Sequence, residues 1–254
     1  MTSFKIISAV WGCPKEWLIA TMDSVATQHY SDAYHCMIVD EALKRPDIGA
    51  AATFNMAMWQ NVNGYEGRII EHFDRRGIVQ NQWEAIHQVC ESPDDVVVWV
   101  DGDGDLLMPG ALDYLDKIYF DSDIQLTYGS YKTHPASPGS QPARPWPPAV
   151  IHANSYREHA RFGSGICHNH LRTMKYELIQ KMNESDMKRA DGTWLMGAAD
   201  SAFMFPALEL SQGRSHFIER VLLDYHADHE FSDWKNGENW CDTDNHEILT
   251  RPPK

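Results

Sequence analysis

The sequence predicts an α/β fold in which a mostly parallel sheet is flanked by helices on both faces. Three observations predict it. Short apolar runs alternate with segments of helical periodicity through the first half of the chain. The run at 96–100 (VVVWV) contains no polar residue, as a strand covered on both faces requires. The runs also stop abruptly at acidic or turn-forming residues.

In order, residues 4–10 (FKIISAV) read as the first strand, closed by Gly12-Cys13-Pro14. Residues 16–28 place Trp17, Leu18, Thr21 and Val25 at helical spacing. Residues 34–39 form a second strand that stops at Asp40-Glu41, and 68–73 a weaker third. Ile78, Trp83, Ile86 and Val89 mark a helix over 78–90. After the strand at 96–100, Pro109 opens a helix running to 118, at the first helical position where its missing N–H costs nothing. Six prolines in the fifteen residues 134–148 exclude a helix or central strand and predict a long surface loop. Beyond it, 171–182 and 194–210 read as helices and 217–225 as a strand. The tail, 224–247, sets eight acids against one lysine and reads as a solvated surface segment. No internal repeat interrupts this order.

The chain has 254 residues, 43% hydrophobic and 23% charged, the composition of one globular domain. Its formal net charge of −14 argues against tight non-specific nucleic-acid binding, which needs a surplus of Lys and Arg to displace counterions. The same balance disfavours docking on anionic lipid. Five cysteines with no Cys-x-x-Cys pair read as reduced thiols, so a cytoplasmic location is expected. No apolar run approaches the ~20 residues of a membrane span, and the first ten residues are too short an apolar stretch for a signal peptide. No membrane insertion is expected, and oligomeric state stays open.

The segment 96–112 (VVVWVDGDGDLLMPGAL) carries the chemistry. Asp101, Asp103 and Asp105 follow the carboxyl end of a buried strand, the edge where open α/β sheets bind ligands. Glycine spacers, Gly102 among them, allow close backbone approach. Hard oxygen ligands at this density suit Mg²⁺ or Mn²⁺ shared with substrate phosphates. An EF-hand starting at Asp101 is excluded, because Leu106 and Leu112 stand where Gly and Glu are needed. A polar turn capping the following helix is the plain alternative. Cys167-His168-Asn169-His170 and His226-x₂-His229 have zinc-like spacings without a closed ligand set.

These residues, taken in order, resemble a GT-A-fold, family 2-type glycosyltransferase. The first strand, Ser24-x₃-Gln28-x-Tyr30, Ile38-Val39-Asp40-Glu41, Gly77-x₃-Asn81, Asp101-Gly102-Asp103 and Gly197-Ala-Ala-Asp200 follow one another as the family's motifs do, across roughly residues 4–225. Glu41 departs from the commoner second Asp, and Gly104 stands where many relatives have an acid. The resemblance implies a Rossmann-like GT-A sheet with an acceptor-side region after the proline-rich loop. It implies one catalytic domain over 1–254, with a nucleotide-sugar half at 1–133 and an acceptor half with the acidic tail at 134–254. The implied activity is a metal-dependent, inverting transfer from a nucleotide-diphosphate sugar, foremost a UDP-sugar, to a hydroxyl acceptor. By resemblance Asp103 is the first-choice ligand for Mn²⁺ or Mg²⁺, with Asp101 on the metal shell or the ribose and His226 as an added ligand. Asp40 and Glu41 take the base or ribose, Trp11 stacks on the base, and Arg76 and Asn81 complete the donor site. Asp200 is the implied general base, which also stands where a helix N-cap would.

Small transferases of this look include bacteriophage enzymes, some of which glycosylate hydroxymethylated DNA bases. The acceptor classes left open are therefore modified DNA, a glycan and a small molecule. The competing readings are a sugar nucleotidyltransferase, for which the loop Trp11-Gly12-Cys13-Pro14-Lys15 is too poor in glycine, and a non-catalytic nucleotide- or sugar-binding module.

Overall fold

A computed structural model describes residues 1–63, 65–120, 122–134, 143–226 and 240–254. The chain runs through β1 (Phe4–Val10), α1 (Lys15–Ala26), β2 (Ala33–Val39), α2 (Pro46–Asn63), β3 (Glu66–Glu71), α3 (Ile78–Val89), β4 (Val96–Trp99), β5 (Leu106–Leu107) and α4 (Ala111–Phe120). It continues through β6 (Leu126–His134), α5 (Pro148–Ala153), α6 (Tyr156–Phe162), β7 (Arg172–Lys175), α7 (Tyr176–Ile179), α8 (Ala199–Leu210), β8 (Ser215–His226) and α9 (Trp240–Thr250). The strands form one sheet in the order β3-β2-β1-β4-β7-β6-β8-β5. The pairings β3-β2, β2-β1, β1-β4 and β6-β8 are parallel; β4-β7, β7-β6 and β8-β5 are antiparallel.

The apolar run at 96–100 occupies the middle of this sheet. Val97 and Trp99 pack into the core under α3 and α8, while Val96, Val98 and Val100 pack into the core under α4. That double burial is why the run has no alternation. A further cluster, with Leu18, Met22, Ile48, Ala52 and Met56, seals α1 and α2 against β2.

Several sequence expectations need correction. Residues 171–182, read as a helix, contain β7 and the single turn α7: Leu171 and Met174 are anchored in the sheet and the apolar spacing that mimics a helix straddles two elements. The helix expected over 194–210 begins at Ala199, because Gly197 and Ala198 form a turn with Ala198 at φ 55°. The helix expected to open at Pro109 begins at Ala111. Both α2 and β6 escaped the sequence reading. The acidic tail is not simply a solvated segment: 240–250 is α9, which buries Ile248 and Asp244. Positions 135–142 of the proline-rich stretch, residues 227–239 of the tail and His229 lie outside the described residues. The described end of that stretch, from Ala143, is not a surface loop throughout, since Trp146 is buried against Tyr156. No helix among the described residues is long and apolar enough to cross a membrane.

Candidate active site

The parallel strands β1, β2 and β4 end together, and each end contributes to a cleft of about 300 Å³. Val10 and Trp11 follow β1, Asp40 follows β2, and Asp101 and Asp103 follow β4. Arg75, Gly77 and Asn81 come from the start of α3, Arg172 from β7, Asp200 from α8, Tyr225 from β8, and Cys241 and Asn245 from α9. Both halves of the chain therefore line it.

Local chemistry fixes each wall. Asp40 accepts from the backbone N–H of Arg76 (3.0 Å) and of Gly77 (3.0 Å), tying the N-terminus of α3 to the end of β2. Gly102 donates its N–H to the Ala9 carbonyl at 3.0 Å, and a Cβ there would sit 2.9 Å from the same oxygen, so only glycine lets the Asp101–Asp103 turn lie against β1. At Gly104, with φ +112°, a Cβ would collide with the His226 ring.

Of the residues expected at the site, Trp11, Asp40, Asn81, Asp101, Asp103 and Asp200 line the cleft. Glu41 stands behind Trp11, accepting from its indole Nε1–H at 2.5 Å and from Lys44 at 2.5 Å, which holds its carboxyl below the ordinary range against the cost of burial. The guanidinium of Arg76 turns away to Glu84 (2.6 Å), and it is Arg75 that enters the cleft, its guanidinium 3.7 Å from the Trp11 ring centroid. Asp200 lies inside the first turn of α8 and is not its N-cap, the place taken by Ala198.

His226 donates its backbone N–H to Asp105 Oδ1 at 2.9 Å, and its ring Nδ1 is 3.0 Å from the Asp103 carbonyl. Ligand atoms of Asp101, Asp105 and His170 lie within 4.8 Å of one another. Sequence reasoning missed His170 and Arg172 as site residues. Arg172 Nη2 is 3.8 Å from Asp101 Oδ2 and 3.5 Å from His170 Nδ1. The spacing 167–170 is the sequence signal that includes His170.

Electrostatics divide the carboxylates into two kinds. Burial raises Asp105 well above the ordinary carboxyl range, and the charges of Asp101 and Asp103 push it further. Burial also acts on Asp200, but the charge of Arg172 works against it, and Asp200 is held low. Burial pushes His168 down to about 4 and His170 to about 3, so both rings are neutral at pH 7 and available as lone-pair donors.

The donor set fits a divalent cation. Asp105 is fully buried with Oδ2 accepting no hydrogen bond among the described residues, beside two further aspartates and a neutral imidazole. Burial and the neighbouring carboxylates favour the protonated form of this carboxyl in the folded chain. A carboxyl raised in the folded state contributes its stability below its unfolded value of ~4, and that stability is lost as pH climbs through the raised folded value. Asp105→Asn is therefore expected to flatten the loss of stability above about pH 4 and to stabilise the metal-free protein at pH 8 by ~1–2 kcal/mol. Urea melts of both proteins in EDTA at pH 5 and pH 8 check this; equal slopes would contradict it.

No family model matches this sequence, and no curated protein matches it. Solved structures do. S. aureus TarS is 12% identical with a TM-score of 0.57, over 89% of this chain and 37% of that chain. A mycobacterial protein is likewise 12% identical with a TM-score of 0.57, over 91% of this chain and 69% of that one. The chain thus spans little more than a third of the TarS chain. At this identity the likeness shows a shared fold: an α/β architecture with the Rossmann-like run β3-β2-β1-β4 at one side of the sheet.

Proposed function

We propose that the protein is a metal-dependent, inverting glycosyltransferase that moves a sugar from a nucleotide-diphosphate sugar to a hydroxyl acceptor. The observation that carries the reading is the convergence of Asp40, the pair Asp101 and Asp103, and Asp200 on one cleft from three segments distant in sequence. The resemblance of those segments to family 2 transferases supports it, and the fold shared with TarS is compatible with it.

In this reading Asp101, Asp103 and Asp105 with His170 hold the cation, and the imidazole makes Mn²⁺ a better match than Mg²⁺. The ion supplies electrophilic stabilisation of the departing diphosphate. Trp11, fixed by Glu41, provides a flat apolar wall for the base, and the buried amide of Asn81 a polar reader beside it. Arg75, stacked on the same ring, adds a cation beside this wall. Asp200, ionised at neutral pH, accepts the proton of the attacking hydroxyl. The acceptor is a modified DNA base, a glycan or a small molecule.

The test is a thermal-shift panel of UDP, GDP, CDP and ADP with and without Mn²⁺. A ligand at about 100 times its Kd adds roughly 2.7 kcal/mol, or about 5–10 °C for a chain of this size. One diphosphate is expected to give a Mn²⁺-dependent shift that Asp103→Ala loses. No shift with any of the four removes the reading.

A further inference from the structure

Arg172 is a buried guanidinium whose donors are poorly used. Its side chain is only 6% exposed, yet it lines the cleft. Its Nε makes no hydrogen bond among the described residues. Nη2 faces His170 Nδ1 at 3.5 Å and Asp101 Oδ2 at 3.8 Å, both long contacts. Five N–H donors on a charge this deep ordinarily find shorter partners. The sheet puts the residue there: β7 lies between β4 and β6, with Arg172 opposite Trp99 on one side and Tyr128 on the other. Strand register, rather than a matched ion pair, fixes its place.

The two groups that Nη2 faces belong to the set whose ligand atoms gather within 4.8 Å, Asp101, Asp105 and His170. A neutral imidazole has a single lone pair. Burial keeps His170 neutral at pH 7, so an N–H of Arg172 directed at Nδ1 uses the lone pair that a cation needs. Ligation through Nε2 instead would put a hydrogen on Nδ1, facing the guanidinium donor. Either way, a ligated ion and the present arrangement of Arg172 exclude each other. The charge of Arg172 also bears on Asp105 and Asp200, so it opposes a second cation among these carboxylates.

We propose that Arg172 is the internal counter-ion of the empty cation site: it engages Asp101 and His170 and thereby sets how weakly the ion is held. The proposal rests on the reading that Asp101, Asp105 and His170 bind a divalent cation. It makes Arg172 a positioning residue for the ligands of the ion. A merely structural arginine has the opposite sign, because its loss would loosen the site and weaken the ion.

Mn²⁺ binding to the metal-free full chain, read by electron paramagnetic resonance of the free aqueous ion, tests this. The site is the part of the binding that Asp101→Asn loses, which separates it from ions held on the surface of a chain of net charge −14. Arg172→Met keeps an unbranched stem but has neither charge nor N–H donor. It should tighten Mn²⁺ at least ~10-fold, since a positive charge ~5 Å from a divalent ion at an effective dielectric of ~20 repels it by more than a tenfold change in Kd. Arg172→Lys, which keeps the charge, should stay within about threefold of wild type. Binding seen in Arg172→Met and not in wild type is the extreme form of the expected result. An Arg172→Met protein that binds the ion no tighter than wild type overturns the proposal and leaves the cation reading in place. No Asp101-dependent binding in either protein overturns both. Should Arg172→Met fail to fold, wild type carries the test through ¹⁵N spectroscopy of its histidines, with the His170 signal assigned by its loss in His170→Gln. Nδ1 of His170 should carry no hydrogen in the metal-free protein, and a hydrogen there overturns the proposal.

Discussion

Asp200→Asn is expected to lower turnover by about 10²–10⁴-fold, the usual contribution of a general base, while leaving the Mn²⁺-dependent stabilisation by nucleoside diphosphate intact. Asparagine keeps the size of the side chain and its place in the first turn of α8 but has no carboxylate to take a proton. Because Asp200 is held below the ordinary carboxyl range by Arg172 despite its burial, wild type keeps the base ionised through neutral pH. The acid limb of its rate profile should therefore fall below about pH 4. Once the panel names the diphosphate, slow hydrolysis of the matching nucleotide sugar, read as diphosphate release, measures both without knowledge of the acceptor. An Asp200→Asn rate within about threefold of wild type would remove Asp200 from the chemistry.

What the sequence made legible follows from how each element is buried. β1, β2 and β4 are parallel and largely covered on both faces, so β4 appears as an unbroken apolar run and β1 and β2 as mostly apolar runs broken by Lys5, Ser8 and His35, with Asp40 and Asp101 marking the ends of β2 and β4. The antiparallel part of the sheet hides. β6 (LTYGSYKTH) and β7 (RTMK) carry polar residues that are satisfied across the sheet: Thr127 and Thr173 share a 2.6 Å hydrogen bond, and Tyr119 reaches Thr173 at 2.7 Å. Such residues depress any apolar pattern. α2 hides for the opposite reason, because alanine, methionine and phenylalanine surround it and leave no amphipathic stripe to read.

The site divides the same way. Residues at the ends of the parallel strands were readable one strand at a time. His170 and Arg172 were not, since their meaning depends on β7 lying antiparallel to β4 with Arg172 opposite Trp99, a register that no local window contains. Arg75 and Arg76 illustrate the finer limit. Neighbours in sequence, they part because Arg76 finds Glu84 while Arg75 finds two indoles, Trp11 and Trp240.

Asp244→Ala should be among the most destabilising single substitutions in this chain, costing about 3 kcal/mol or roughly 6–12 °C in melting temperature. Asp244 is fully buried on α9 and accepts from Met196 N–H (2.8 Å), Gly197 N–H (2.9 Å) and Arg189 Nε–H (2.8 Å). Alanine leaves two backbone donors and a guanidinium without their acceptor at once. The loss should reach the cleft, because the Gly197 turn that Asp244 grips leads directly to Ala198, Ala199 and Asp200, and α9 itself presents Cys241 and Asn245 there. At a temperature where the variant is still folded, diphosphate affinity should fall several-fold, and Asp244→Asn, which keeps one acceptor oxygen, should recover part of both effects. A variant that melts with wild type would mean that α9 is held instead by Ile248, by Arg157 on the Ile248 carbonyl, by Ala190 on Glu247 and by Arg251.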